Sequence, residues 1–291
     1  MAGAAWGIRH AVSPAVRAWE PGAGQRRRVG PLSVRVLGDG PSVVVLLHGL
    51  MGSGDGFGAG FDALGKRSRL VVPDLLGFGR SLDEQRTRFD LGAHLAALDR
   101  MVAGLGLQGL PLTVAGHSMG AVLALHWAAR RRETRRVVLF CGPLYENRAE
   151  ADAHIRHMGL MERFFALESP LSAAVCQAMC RLRSGAQWVA VAISPQWPVL
   201  LARQGVLHTW PAYLGGMNGI VRAPGWCEAM AGLNARRVPM VLADGEDDLV
   251  PVPGRGSALA CRFDSLTTRR HPRAGHDLPV SHPAWCVDLF R

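Results

Sequence analysis

Leu112-Thr113-Val114-Ala115-Gly116-His117-Ser118-Met119-Gly120-Ala121 decides how this chain is read. A short apolar run, expected as a strand, ends in Gly-x-Ser-x-Gly and passes directly into Ala121 to Ala129, which is apolar on nearly every side. That second stretch predicts a helix packed under a sheet. A strand-to-helix turn this sharp crowds the backbone around its central residue. Gly116 and Gly120 have no Cβ, so the two arms can approach and Ser118 is pushed out at the tip with its Oγ exposed. The helix then points its positive end at the place where an oxyanion would form, and the Met119 N–H is a ready donor. The five-residue pattern alone also fits an ordinary glycine-rich turn; the strand before it and the helix after it favour an exposed nucleophile.

Upstream, Leu32 to Leu37 alternates apolar and polar residues, as in an edge strand with one wet face. Gly38-Asp39-Gly40-Pro41 is a turn cluster that predicts a hairpin into Ser42 to Leu47, a Val/Leu run expected to be buried on both faces. That run ends in His48-Gly49-Leu50-Met51-Gly52-Ser53-Gly54, whose glycines let backbone N–H groups face a cavity. The Leu50 N–H is the expected second oxyanion donor beside that of Met119. No Gly-Lys-Ser/Thr follows, so a phosphate loop is excluded, and His48 is expected to brace the loop by hydrogen bonding. Leu70 to Pro73 predicts a further buried strand, leading to Asp74-Leu75-Leu76-Gly77-Phe78-Gly79-Arg80-Ser81. Asp74 precedes the serine and is expected to cap and brace its loop. Leu91, Leu95, Leu98, Val102 and Leu105 mark the buried stripe of a helix capped by Asp90, and Val137 to Cys141 is the next strand.

From about Leu144 to Trp226 the strand–helix rhythm stops, and the segment is helical in character. It carries Met158, Met161, Phe164, Phe165, Trp188, Trp197, Trp210 and Tyr213, which at helical spacing are expected as core. An interruption here suggests an inserted cap whose apolar underside lines a pocket. The rhythm resumes at Pro239 to Pro251, a buried strand that runs into the acidic loop Gly245-Glu246-Asp247-Asp248. Last come His271-Pro272-Arg273-Ala274-Gly275-His276-Asp277 and a short helix. The expected organisation is a leader of uncertain order at 1–30, a core at 31–143 and 227–291, and a helical cap at 144–226.

With 291 residues, 48% hydrophobic and 19% charged, the chain is long and apolar enough for one large α/β domain carrying an insertion. The net charge of +10 comes from arginine, since Lys66 is the only lysine, a bias that hints at a GC-rich bacterial genome. The arginines form no stripe with interleaved aromatics, so nucleic-acid binding is not expected. Six cysteines show no Cys-x-x-Cys pair, which favours free, buried thiols in a reducing, cytoplasmic setting. No signal peptide is expected, because Arg9, His10 and Pro14 break the first apolar residues. The longest apolar stretch, Trp188 to Ala202, is broken by Ser194, Pro195, Gln196 and Pro198, which argues against a membrane span. Neither a cofactor nor a metal is expected, and the oligomeric state is not legible.

A serine hydroxyl attacks only when a base takes its proton, and an imidazole does this near neutral pH when a carboxylate holds its tautomer. The chain offers Ser118, then an acidic loop at a strand end, then the Gly275-His276 step on a late loop, all at the carboxyl edge of an α/β sheet. For the acid, Asp248 is favoured by its placement at the strand end, with Asp247 as competitor.

Together His48-Gly49, Asp74 with Gly77-x-Gly79-x-Ser81, Gly116-His117-Ser118-Met119-Gly120, Gly245-Glu246-Asp247-Asp248 and Gly275-His276-Asp277 resemble the α/β-hydrolase superfamily over about residues 32–290. The similarity is to the serine branch with a helical cap. The resemblance implies an α/β-hydrolase fold: a mostly parallel twisted sheet with helices on both faces and an inserted helical cap. It also implies a triad of Ser118, Asp248 and His276 with an oxyanion hole from Leu50 and Met119. Epoxide hydrolases and haloalkane dehalogenases of the superfamily look for aspartate where Ser118 stands. The expected activity is hydrolysis of an ester, thioester or lactone of a small, apolar acyl substrate. Acyl transfer, cyclisation or carbon–carbon hydrolysis by the same triad is the alternative, and a receptor-like binder on the same fold is a further one.

Overall fold

The computed structural model describes Val16, residues 18–158 and residues 170–291. Val43-Val44-Val45-Leu46-Leu47 has no polar residue, and as β3 (Val43–Leu47) it is buried along its whole length. Side chains alternate across a strand, so Val43, Val45 and Leu47 enter one apolar cluster while Val44 and Leu46 enter another on the opposite face. The same alternation splits Val71 from Val72 in β4 (Arg69–Pro73), and Val137 and Leu139 from Val138 and Phe140 in β6 (Thr134–Phe140).

The other strands are β1 (Gln25–Val29), β2 (Leu32–Leu37), β5 (Leu112–His117), β7 (Met240–Gly245) and β8 (Leu266–His271). They lie in the order β1-β2-β4-β3-β5-β6-β7-β8. β2 is antiparallel to β1 and β4, and every pairing from β4 to β8 is parallel. Parallel neighbours end together, so the carboxyl ends of β3, β5, β6 and β7 form one rim.

α1 (Leu91–Gly104), capped by the Asp90 carboxylate at the Ala93 N–H, packs Leu95, Leu98, Met101 and Val102 into the first cluster. α2 (Met119–Arg130) is buried from Met119 to Leu125, as its all-round apolar sequence demands. Between β6 and β7 stand α3 (Arg148–Arg156), α4 (Pro170–Arg181), α5 (Arg183–Ile193), α6 (Val199–Gln204) and α7 (Trp210–Gly216), followed by a π turn at Met217–Val221. α8 (Trp226–Ala235) packs on α2, and α9 (Arg255–Arg262) joins β7 to β8. The chain closes with α10 (Leu278–Ser281) and α11 (Pro283–Asp288), which cover the second face beside Phe57 and Phe61.

The helical insertion is tied to the core by polar contacts. Gln204 on α6 donates from Nε2 to Asp55 at 2.6 Å and accepts from the Ser53 hydroxyl. The Gly79 N–H donates to the Leu207 carbonyl at 2.9 Å, and Phe78 bridges to His208.

Several expectations need correction. β2 is not an edge strand: β1 covers it, and its polar Ser33 and Arg35 are buried. The two terminal nitrogens of the Arg35 guanidinium donate to the Asp62 carboxylate at 2.6 Å and to the Ala23 and Phe57 carbonyls, so alternation here reflects paired polar groups rather than a wet face. Nor does the turn at 38–41 make a hairpin into β3, because β4 lies between the two strands. The hairpin is β1–β2, with Val29 opposite Leu32. β1 falls inside the stretch expected as a leader, so the Arg26-Arg27-Arg28 run is strand. Among the cap residues expected as core, Tyr213 is buried, whereas Trp188 faces outward with 61% of its surface exposed. Met161, Phe164 and Phe165 lie outside the described residues. All six cysteines are free, but only Cys141, Cys176 and Cys286 are buried.

Candidate active site

The turn between β5 and α2 holds Ser118 at φ 55°, ψ −124°, a left-handed backbone that an L-residue adopts only when its surroundings impose it. Two contacts impose it. The Ser118 N–H donates to the Phe140 carbonyl at 2.9 Å, and the Ser118 carbonyl accepts from the Ala121 N–H at 2.8 Å. A Cβ at Gly116 would overlap the Gly120 carbonyl, and one at Gly120 would overlap the carbonyls of Leu47 and His48. The two glycines therefore let the β5–α2 turn close against the end of β3.

The acidic loop after β7 and the loop carrying His276 are laced together. The Asp247 N–H donates to the Ala274 carbonyl at 3.0 Å, and Gly245 lies against the same peptide. Asp247 itself is exposed. Asp248 turns inward, its side chain fully buried, and meets His276. The His276 Nδ1 lies 3.0 and 3.1 Å from the two Asp248 carboxylate oxygens, and its Nε2 lies 3.0 Å from Ser118 Oγ. A carboxylate only accepts, so Nδ1 carries the proton and Nε2 is left to accept from the serine hydroxyl. Asp248 Oδ1 also accepts from the Val250 N–H at 2.8 Å.

Charges in this cluster shift one another. Burial pushes the Asp248 carboxyl up, but the His276 charge and hydrogen bonds from His276, the Val250 amide and the Cys141 thiol outweigh it and hold the group below the ordinary aspartate range. Burial pulls His276 down, yet the Asp248 charge and hydrogen bond, helped by Asp277 and Asp244, leave it above the ordinary histidine value. Asp244, at the end of β7, is pushed up to about 7 by burial and by the Asp248 charge. His117, pulled down to about 3 by burial and by the nearby His276 charge, is neutral and donates from Nε2 to the His276 carbonyl at 2.7 Å.

The loop after β3 comes to the same rim, with the Gly49 Cβ position 3.0 Å from Ser118 Cβ. Among the described residues, neither the Leu50 nor the Met119 N–H has an acceptor in the chain, so both are free to donate to a bound oxygen. His48 donates from Nδ1 to the Gly49 carbonyl at 2.7 Å and accepts from the Leu75 N–H at 2.8 Å. Asp74 accepts from the Gly54 and Arg80 N–H groups at 2.8 and 2.9 Å. Both brace loops, as their sequence contexts suggest. Gly216 of α7 sits against the side chains of Leu50 and Met119, which brings the helical insertion onto the site.

Donor atoms of His117, Cys141 and His276 lie within 4.8 Å of one another, a set that could hold a soft metal ion. Both His276 nitrogens already serve Asp248 and Ser118, so a metal there would compete with those contacts. Three neighbours of the cluster escaped the sequence reading: Cys141, His117 and Asp244. Each ends a strand or flanks the serine, and a strand's carboxyl end is the signal that points to them.

The alpha/beta hydrolase family model matches residues 44–289, and the chain belongs to that family. The magnesium-chelatase 30 kDa subunit of Rhodobacter capsulatus is 40% identical over 109 residues, 36% of this chain and 38% of that protein. The cis-3-alkyl-4-alkyloxetan-2-one decarboxylase of Xanthomonas campestris is 32% identical over 119 residues, 37% of this chain and 39% of that protein. The chain thus spans about two fifths of the length of these curated relatives. Among solved structures, the thioesterase domain from the curacin biosynthetic pathway superposes with TM-score 0.63 at 23% identity, covering 92% of this chain and 98% of that one. An esterase from Thermogutta terrifontis does so with TM-score 0.64 at 24% identity, covering 92% and 97%. These two likenesses show the fold. Among the described residues no helix is long and apolar enough to cross a membrane.

Proposed function

We propose that the chain is a serine hydrolase that cleaves a carboxylic ester, thioester or lactone through an acyl-enzyme, with Ser118, His276 and Asp248 as its triad. The reading is carried by one observation, the 3.0 Å contact between Ser118 Oγ and His276 Nε2 with Asp248 behind the ring. Ser118 attacks the acyl carbon while His276 takes its proton, and the Asp248 carboxylate stabilises the resulting imidazolium. The oxygen that becomes negative accepts from the Leu50 and Met119 N–H groups. His276 then returns the proton to the leaving oxygen or sulfur, and water, activated by the same ring, releases the acid. A lactone follows the same path with the leaving oxygen still tethered.

An active-site-directed fluorophosphonate tests the reading. Wild type is expected to take one label and Ser118→Ala none; an unlabelled wild type overturns it. p-Nitrophenyl esters of increasing acyl length, run beside thioesters with and without an added alcohol or amine, then separate hydrolysis from acyl transfer.

The identity to the magnesium-chelatase 30 kDa subunit favours a second reading, in which the chain works alongside a magnesium chelatase. Co-purification of chelatase subunits with the tagged chain supports it. Ester turnover without such capture counts against it.

A further inference from the structure

α5 is built inside out. Its inward positions are Ala186, Gln187, Ala190 and Val191, whereas Gly185, Trp188, Val189, Ala192 and Ile193 face solvent, with Ser184 beside them at the first turn. Those outward positions follow the i, i+3, i+4, i+7, i+8 spacing that normally marks the buried stripe of a helix. Trp188, Val189 and Ile193 are 61%, 58% and 69% exposed, and none of the residues of α5 is buried. Leu182, just before α5, and Val199, at the start of α6, extend the apolar surface with 71% and 52% exposure. A water-facing stripe bulkier than the inward one signals a partner surface rather than a misplaced core.

Charge narrows the choice of partner. Residues 169–227 contain Arg181, Arg183, Arg203 and Arg222 and not one Asp or Glu. Arg222 is turned inward to Asp152, and Arg183 pairs with Glu84. Among the described residues that leaves the exposed Arg181 just ahead of the stripe, and Arg203, whose guanidinium lies 5.2 Å from the Trp188 ring, at its side. A second copy docked stripe to stripe would bring these cations together with no carboxylate from the same stretch to answer them. An anionic bilayer answers them all. A one-helix-wide apolar face with tryptophan in its middle and arginines at its margin is the pattern of a helix lying in the headgroup plane.

We propose that the outer face of α5, with Leu182 and Val199, docks on membrane surfaces rich in anionic phospholipid, sinking Trp188, Val189 and Ile193 among the acyl chains while Arg181 and Arg203 meet the headgroups. The helix lies on the bilayer and does not span it. The proposal is independent of the hydrolase reading, so Ser118→Ala floats with vesicles as wild type does.

The test is flotation of the full chain with phosphatidylcholine vesicles containing about a third phosphatidylglycerol, and with pure phosphatidylcholine vesicles, at about 0.1 M salt. Wild type is expected to partition at least about tenfold more strongly onto the anionic vesicles. Trp188→Ser with Ile193→Ser lowers that partition at least about tenfold, at unchanged melting temperature and unchanged turnover of a soluble ester. Arg181→Gln with Arg203→Gln removes the preference for anionic lipid. Brominated lipid quenches tryptophan emission in wild type but much less in Trp188→Phe, which locates the contact without a disruptive change. No flotation on anionic vesicles, or flotation untouched by the Trp188/Ile193 pair, overturns the proposal. So does a dimer that the same pair dissociates without any vesicle binding, which would give the stripe to a second copy.

Discussion

Replacing Asp248 by asparagine tests the proposed chemistry without altering the shape of the site. The Val250 N–H donates to Asp248 Oδ1 at 2.8 Å, so in the variant it holds the amide oxygen at that position. The amide nitrogen then occupies the place of Oδ2, 3.0 Å from His276 Nδ1. An NH2 group cannot accept, so the contact at Oδ2 favours Nδ1 as acceptor with the ring proton on Nε2, against the competing 3.1 Å contact of Nδ1 with the retained amide oxygen. Nε2 then points a hydrogen at Ser118 Oγ and cannot take its proton. Loss of the correct tautomer in a serine protease triad costs about 10⁴-fold in kcat, equal to about 5.5 kcal/mol of transition-state stabilisation, and the same geometry here sets the same expectation. The assay is kcat for a p-nitrophenyl ester together with the rate of fluorophosphonate labelling, and both should fall by that order. Asp247→Asn is the control: Asp247 is exposed, and its side chain should matter less than about twofold. If Asp248→Asn keeps activity within about tenfold of wild type, or Asp247→Asn produces the larger loss, the assignment of the acid is wrong.

Further outcomes follow from the same geometry. His276 must be neutral to act as base, and its neighbours raise it above the ordinary value of about 6.5, so kcat/KM should fall as pH drops through a point above 6.5. Above about 7 Asp244 is ionised and helps hold the His276 proton, so Asp244→Asn should move that acid limb to lower pH; a pH–rate profile that does not move refutes the coupling. Gly120→Ala drives a methyl group into the Leu47 and His48 carbonyls and should cost about 3 kcal/mol or prevent folding, read by urea denaturation. Gln204→Ala removes the link from α6 to Ser53 and Asp55, while Asp55 keeps Arg26 and Arg80. It should cost about 1–3 kcal/mol and speed limited proteolysis within the helical insertion.

What the sequence alone determined is local and periodic. A run such as Val43 to Leu47 has no polar residue to turn toward water, so its burial on both faces follows from composition. The two glycines around Ser118 reveal a sharp turn because no Cβ fits there. The chain order of serine, acidic loop and late histidine, each after a strand, was also legible, since parallel strands deliver their ends to one rim. What only the tertiary structure decided depends on partners far away in the chain. Adjacent residues point to opposite sides, so which of Asp247 and Asp248 faces His276 depends on how the loop after β7 is held by Ala274. Alternation in β2 suggests an edge because it does not say which strand lies beside it, and the Asp62 carboxylate that pairs with the buried Arg35 sits 27 residues away. Trp188 followed a helical period faithfully, yet period says only that a stripe exists; the packing of α5 on its neighbours turned that stripe outward.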